Sequence, residues 1–155
     1  MKSLIIYGSQ YGTAKAYATK LSEITEIPCI SYENIKDIKD YEQIIYFGGL
    51  YAGGVKGLKN TFRLLKNSNI KTILVTVGLA DVNNKENTNN IKASLEKQLE
   101  KDIYKNSLIF HLRGGIDYKP VESLTQEDKA LIETYNTKVD FVDYDSLKQI
   151  VEVIQ

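Results

Sequence analysis

A chain of 155 residues is long enough for one substantial hydrophobic core and too short for two, so residues 1–155 are read as one domain. Lys plus Arg balance Asp plus Glu at 20 each, which leaves no net field to attract nucleic acid or an anionic membrane and points to small-molecule or protein partners. With 43% hydrophobic and 26% charged residues, and no apolar run near the roughly 20 residues that span a bilayer, the composition predicts a folded chain without a transmembrane segment.

Met1-Lys2 leads directly into an apolar run with no small-residue cleavage site behind it, so the expected location is cytoplasmic. Five short apolar runs predict strands at Ser3 to Tyr7, Cys29 to Tyr32, Gln43 to Phe47, Lys71 to Val77 and Leu108 to Leu112. Each is continuous rather than alternating, as in strands covered on both faces. Cys29, the only cysteine, has no partner for an internal disulfide and is expected as a buried strand residue. Between the strands, Ala14, Tyr17, Ala18 and Leu21 recur at helical spacing, as do Leu58, Thr61, Phe62 and Leu65. Ile91, Leu95 and Leu99 mark a third helix, and Leu147, Ile150, Val151 and Ile154 a C-terminal one with Asp145 as its candidate N-cap. The polar stretch from Glu33 to Glu42 has room only for a short helix or a turn. Strands alternating with helices predict an α/β fold with a parallel sheet.

Open parallel sheets bind ligands outside the carboxyl ends of their strands, where the strand order reverses. After the first strand, Gly8-Ser9-Gln10-Tyr11-Gly12-Thr13-Ala14 runs into a helix, and such a turn can aim backbone N–H groups and the positive helix end at a phosphate. An ordinary strand-to-helix turn capped by Thr13 is the alternative. Neither a Walker loop nor Gly-x-Gly-x-x-Gly occurs, which disfavours ATP, GTP and NAD binding through those motifs. After the third strand, Gly48-Gly49-Leu50-Tyr51-Ala52-Gly53-Gly54 sets one aromatic ring among four glycines, a platform for a flat ligand. After the fourth comes the polar loop Gly78-Leu79-Ala80-Asp81-Val82. The fifth strand ends in His111-Leu112-Arg113-Gly114-Gly115-Ile116-Asp117-Tyr118. Arg113 is there the better anion-binding candidate, and the lone His111 is read as structural.

The segment Tyr7 to Thr13 resembles the flavodoxin phosphate loop, Thr/Ser-x-Thr-Gly-x-Thr, which holds the phosphate of flavin mononucleotide (FMN). The resemblance runs over nearly the whole chain. It implies a three-layer α/β sandwich whose five-stranded parallel sheet has the order 2-1-3-4-5, with helices on both faces. It also implies FMN as cofactor, with Ser9, Gln10, Tyr11, Gly12, Thr13 and Ala14 around the phosphate. Gly49, Leu50, Tyr51, Ala52 and Gly53 would then line one face of the ring, and Gly78, Leu79, Ala80, Asp81 and Val82 the other. Ala14 stands where the family has its last Thr, and the neutral charge departs from the acidic balance of ordinary flavodoxins. Tyr11 before Gly12 and the His-Leu-Arg-Gly-Gly segment are similar to the subgroup that includes the menaquinone-dependent protoporphyrinogen dehydrogenases. In that subgroup an insert follows the fifth strand, where this chain has Lys119 to Asp140, with three Lys against five Asp or Glu.

These readings imply an FMN-dependent redox protein, with electron or hydride transfer carried by the flavin and no metal. Its partner would be a redox protein or a small quinone-like substrate, and Arg113 and Tyr118 are the candidates for a substrate side. Carrier and enzyme both stay open. A signalling receiver of the same topology would need clustered acids where Tyr7-Gly8-Ser9 and Phe47-Gly48-Gly49 stand, so it is disfavoured. A flavin-free interaction module on the same fold is the remaining alternative.

Overall fold

All five apolar runs form strands, and hydrogen bonding joins them side by side in a single parallel arrangement. The computed structural model describes residues 2–9, 12–51, 54–65, 69–81, 83–116 and 139–154. In chain order its elements are β1 (Ser3–Gly8), α1 (Thr13–Thr25), β2 (Cys29–Ser31), a 3-10 turn (Tyr32–Asn34), β3 (Gln43–Tyr51) and β4 (Gly54–Val55). There follow α2 (Leu58–Arg63), β5 (Lys71–Gly78), α3 (Lys85–Gln98), α4 (Lys101–Asn106), β6 (Leu108–Arg113), β7 (Gly115–Ile116) and β8 (Val139–Asp140). A second 3-10 turn (Tyr144–Leu147) leads into α5 (Lys148–Val151).

The sheet runs β2-β1-β3-β5-β6, and β4 folds back on the end of β3 as an antiparallel hairpin. Counting only the parallel strands, this is the expected 2-1-3-4-5 order. The order reverses between β1 and β3, whose register pairs Gly8 with Gly48.

Side chains alternate across the strands with a period of two and so feed two cores. Ile6, Ile44, Tyr46 and Leu74 face α2 and α3, meeting Leu58, Phe62, Ile91 and Leu95. Ile5, Ile45, Phe47, Ile73 and Val75 face the other way, against Tyr17, Leu21, Leu147 and Ile150. The three central strands are thus covered on both faces. The outer two are not: every residue of β2 is half-buried, and Leu108 on β6 is exposed, because an edge strand has one neighbour fewer. Cys29 accordingly sits half-buried on β2 rather than in the core, where burial raises its thiol pKa and Lys15 partly offsets the shift.

The predicted apolar face of α1 is buried in full. The helix stops at Glu26, whose φ of 64° is left-handed and whose N–H bonds the Ser22 carbonyl at 2.8 Å. Glycine is the residue that takes this conformation without Cβ strain. Glu26→Gly is therefore expected to stabilise the protein by roughly 0.5–1 kcal/mol, read as a raised midpoint in urea; a lowered midpoint would sink the assignment.

The C-terminal helix differs from its sequence reading. Asp143, not Asp145, provides the cap: its Oδ1 accepts the Asp145 N–H at 3.0 Å, so Asp145 supplies only a donor. The first turn is 3-10, and Val151 turns outward at 37% exposed while Leu147 and Ile150 are buried. Leu99 lies just past α3 as its C-cap and remains buried. The stretch from Glu33 to Glu42 makes no helix beyond the 3-10 turn at its start, and Ile38 anchors it in the core. Residues 117–138, which hold most of the expected insert from Lys119 to Asp140, lie outside the described residues. Among the described residues no helix is long and apolar enough to cross a membrane.

Candidate functional site at the carboxyl edge of the sheet

The turn after β1 is fastened by its own side chain. Ser9 Oγ accepts the Gly12 N–H at 2.9 Å, and Gly12 takes a left-handed φ of 90° to start α1. Having no side chain, Gly12 caps nothing, so the first-turn N–H groups of α1 receive no oxygen from the cap position. Among the described residues nothing comes within 4 Å of where a Gly12 Cβ would project. Ala14 is 1% exposed, so its methyl belongs to the core and only its backbone faces the turn. Thr13 Oγ1 lies 3.4 Å from the Gly115 carbonyl, on the side of the strand-six loop. Gln10 and Tyr11 lie outside the described residues.

The glycine-rich segment after the third predicted strand is largely strand. β3 continues to Tyr51, with Gly48 and Gly49 buried in register with Thr76 and Val77. Leu50 pairs with Val55 and Tyr51 with Gly54, which makes the hairpin to β4. Only its outer end reaches solvent: Leu50 is half-buried and Tyr51 is 40% exposed, with Lys56 Nζ 5.8 Å from its ring centre. Ala52 and Gly53 lie outside the described residues.

Two residues that sequence reasoning passed over fix this hairpin. Gln98 on α3 accepts the Val55 N–H at 3.3 Å and packs where Gly54 has no side chain. The Tyr46 hydroxyl, in the core, donates to the Lys56 carbonyl, and burial pushes its pKa well up. A lone Gln in a helix carries no sequence signal for such a contact. A Tyr among the apolar residues of a central strand does carry one, since a buried hydroxyl needs a partner.

The third loop turns on itself. Asp81 Oδ1 accepts the Asn83 N–H at 2.9 Å, and the Asp81 carbonyl accepts from Asn84 and from the Asn87 side chain. Asn84 then caps α3 by accepting the Glu86 N–H at 2.9 Å. Leu79 and Ala80 are half-buried and Asp81 is exposed. Gly78 lies against Leu50, which brings the second and third loops together. Val82 lies outside the described residues.

The strand-six loop ties these parts together. The Gly114 N–H bonds the Gly78 carbonyl at 2.7 Å. Arg113 donates through Nη2 and Nε to the Leu79 carbonyl at 2.8 and 3.2 Å, and its guanidinium lies 3.7 Å above the Phe141 ring. The Tyr17 hydroxyl donates to the Arg113 carbonyl at 2.5 Å and accepts the Asp143 N–H at 2.9 Å. Arg113 thus braces the third loop from beneath. Asp117 and Tyr118 lie outside the described residues.

His111 lies within β6, with Nδ1 2.6 Å from Thr76 Oγ1. Burial, and then the Lys92 charge, lower its pKa from the ordinary 6.5. A lowered folded-state pKa means that the unfolded chain binds this proton more readily. The stability carried by neutral His111 is therefore complete above 6.5 and declines as pH falls from there toward the folded pKa. Wild type is expected to lose more stability than His111→Gln across that window in urea titrations. A proton NMR titration placing the ring midpoint at or above 6.5 would refute the assignment.

A doubly wound parallel sheet with a glycine turn and a helix N-terminus at its switch point belongs to the class of α/β folds that carry ligands at that edge. This chain belongs to the flavodoxin domain family, whose sequence model matches residues 4–139. Among solved structures it is similar to a flavoprotein from Lactobacillus acidophilus in complex with FMN, at 13% identity and a TM-score of 0.53, covering 78% of this chain and 96% of that one. It is also similar to a Bacteroides uniformis protein, at 11% identity and a TM-score of 0.50, covering 88% and 98% respectively. At such identities the likeness speaks for the fold. No curated protein matches the sequence.

Proposed function

We propose that the chain is a single cytoplasmic domain that binds FMN and takes part in electron or hydride transfer. The observation that carries this reading is the uncapped start of α1 behind left-handed Gly12, set at the strand-order reversal between β1 and β3. FMN needs an anion site and a flat, partly apolar platform. With the Gly12 N–H already bonded to Ser9 Oγ, Thr13 and Ala14 offer backbone N–H groups for the first, and exposed Tyr51 with half-buried Leu50 offers the second. Residues 78–81 would border the ring from the other side, with exposed Asp81 at its polar edge. When bound, the flavin supplies the redox chemistry. The chain's part is to fix the phosphate, hold Tyr51 through the Gln98-anchored hairpin, and keep the third loop in place through Arg113.

The His111 to Gly115 segment and the Tyr11-Gly12 pair support a relation to the menaquinone-dependent protoporphyrinogen dehydrogenases, and with it a quinone-like or tetrapyrrole-like substrate. The fact that the Arg113 guanidinium already holds Leu79 and Phe141 favours, within that reading, a bracing role over a substrate-binding one.

The test is the visible spectrum of purified protein before and after titration with FMN. A yellow protein that releases FMN on denaturation is the expected result. No binding at micromolar FMN would sink the redox reading and leave a flavin-free interaction module.

A further inference from the structure

From Gln43 through Ala80 the sequence holds no Asp or Glu, while Lys56, Lys59, Arg63, Lys66 and Lys71 are all cationic. The chain as a whole is neutral, so the remainder is correspondingly acidic. Much of this stretch is β3 and β5, which are buried and uncharged at their centres. Its charge is therefore concentrated on what the fold leaves outside. Lys71 is engaged elsewhere, donating from Nζ to the Val153 carbonyl at 2.7 Å. Lys66 lies outside the described residues. Lys56, at the end of the β4 hairpin, and Lys59 and Arg63, on the exposed side of α2, form the rest. Among the described residues the one ion pair is Lys20 with Glu23, so these three cations have no carboxylate within ion-pair distance there.

Apolar surface accompanies the charge. Tyr51 and Leu64 are each 40% exposed, and Lys56 Nζ stands 5.8 Å from the Tyr51 ring centre. Aromatic rings and Arg are enriched at protein interfaces, and unpaired charge of one sign steers a partner of the opposite sign. We infer that the β4 hairpin and the outer side of α2 form a docking surface for an acidic protein. The inference rests on the proposed flavin site only for its location, since Tyr51 belongs to both. Three described cations on a neutral chain are too few for a nucleic-acid track, and the exposed Tyr and Leu suit a protein contact better than a phosphate backbone. The separation of charge within a neutral chain orients that partner toward the Tyr51 edge of the sheet.

The test is a titration of isotope-labelled protein, followed by amide NMR shifts, with two probes of opposite charge: a plant-type [2Fe–2S] ferredoxin, which is strongly acidic, and cytochrome c, which is strongly basic. Ferredoxin is expected to shift residues 54–65 at about 20 mM salt and to lose most of that effect at about 300 mM, where the Debye length is only several ångströms. The double variant Lys59→Glu, Arg63→Glu changes exposed positions only, so its fold is retained, and it is expected to bind ferredoxin at least about tenfold more weakly. Equal binding of cytochrome c at the same residues, shifts centred elsewhere, or no loss in the variant would overturn the inference. So would tighter binding of duplex DNA or of phosphatidylserine vesicles at the same salt. An FMN titration run in parallel separates the two claims. Ferredoxin binding at residues 54–65 in a protein that takes up no FMN supports the surface and sinks the redox reading. A yellow protein with no ferredoxin binding sinks the surface alone.

Discussion

Gly8→Ala is expected to destabilise the protein by about 3 kcal/mol or more, a fall in Tm on the order of 10 °C. Gly8 ends β1 where the chain crosses beneath the β4 hairpin, and a Cβ there would run into the Lys56 carbonyl and come within 2.6 Å of the Tyr46 hydroxyl. Those two groups are hydrogen-bonded to each other. Room for a methyl group can come only from moving a backbone carbonyl or from breaking that bond. Overpacking of a tight site costs roughly 1–3 kcal/mol, and stranding a buried donor or acceptor costs about as much again. Gly114→Ala provides the comparison, because its Cβ would meet side chains, Thr13 Oγ1 at 2.8 Å and Val77 Cγ1 at 3.0 Å, rather than a backbone carbonyl, and a smaller loss is expected there. Calorimetry of both variants checks the argument: a loss below about 1 kcal/mol at Gly8 would show that the hairpin yields.

The sheet was legible in the sequence because its central strands are covered on both faces. Residues such as Ile44 to Phe47 are apolar at successive positions, a pattern that only two cores can satisfy. The amphipathic spacing of α1 and α2 was legible for the matching reason, since each contributes one apolar stripe. What escaped were elements defined by hydrogen bonds rather than burial. The two-residue β4 exists because β3 overruns the sheet edge and folds back on it. In α4 no residue is fully buried, so its stretch shows little periodicity. The cap of the C-terminal turn was misplaced by two residues, because Asp143 and Asp145 are equally good candidates until one carboxylate is seen to accept the other's N–H.

The site was legible in its loops and less so in its supports. Glycines at 8, 12 and 48 mark close approach or unusual backbone, and they stand where β1 and β3 meet. Leu50 against Gly78 and Gln98 against Gly54 are contacts between distant parts of the chain, and no local pattern foretells them. Arg113 shows the limit plainly. Its neighbours in sequence suggested an anion site, whereas its guanidinium meets a carbonyl and a ring supplied by two other loops.

Gly12→Val is expected to weaken FMN binding by about 10- to 100-fold while leaving the fold in place. At φ 90° a β-branched residue is strained by roughly 1–3 kcal/mol, and every 1.4 kcal/mol is a factor of ten in affinity. Among the described residues no atom lies within 4 Å of the Cβ position, and Gly12 is exposed, so the free turn can relax to a negative φ without disturbing the core. Relaxation removes the strain from the stability of the free protein and moves it to the binding step, because a relaxed turn no longer aims the first N–H groups of α1 at one point. The bond from the Gly12 N–H to Ser9 Oγ would be lost at the same time. Gly12→Asn separates backbone conformation from bulk: asparagine tolerates the left-handed region and should hold FMN within a few-fold of wild type. Flavin titrations of the three proteins, with thermal unfolding alongside, decide the point. Unchanged affinity in the valine variant would remove this turn from the site, whereas equal losses in both variants would mean that the missing side chain, rather than the left-handed backbone, is what the phosphate requires.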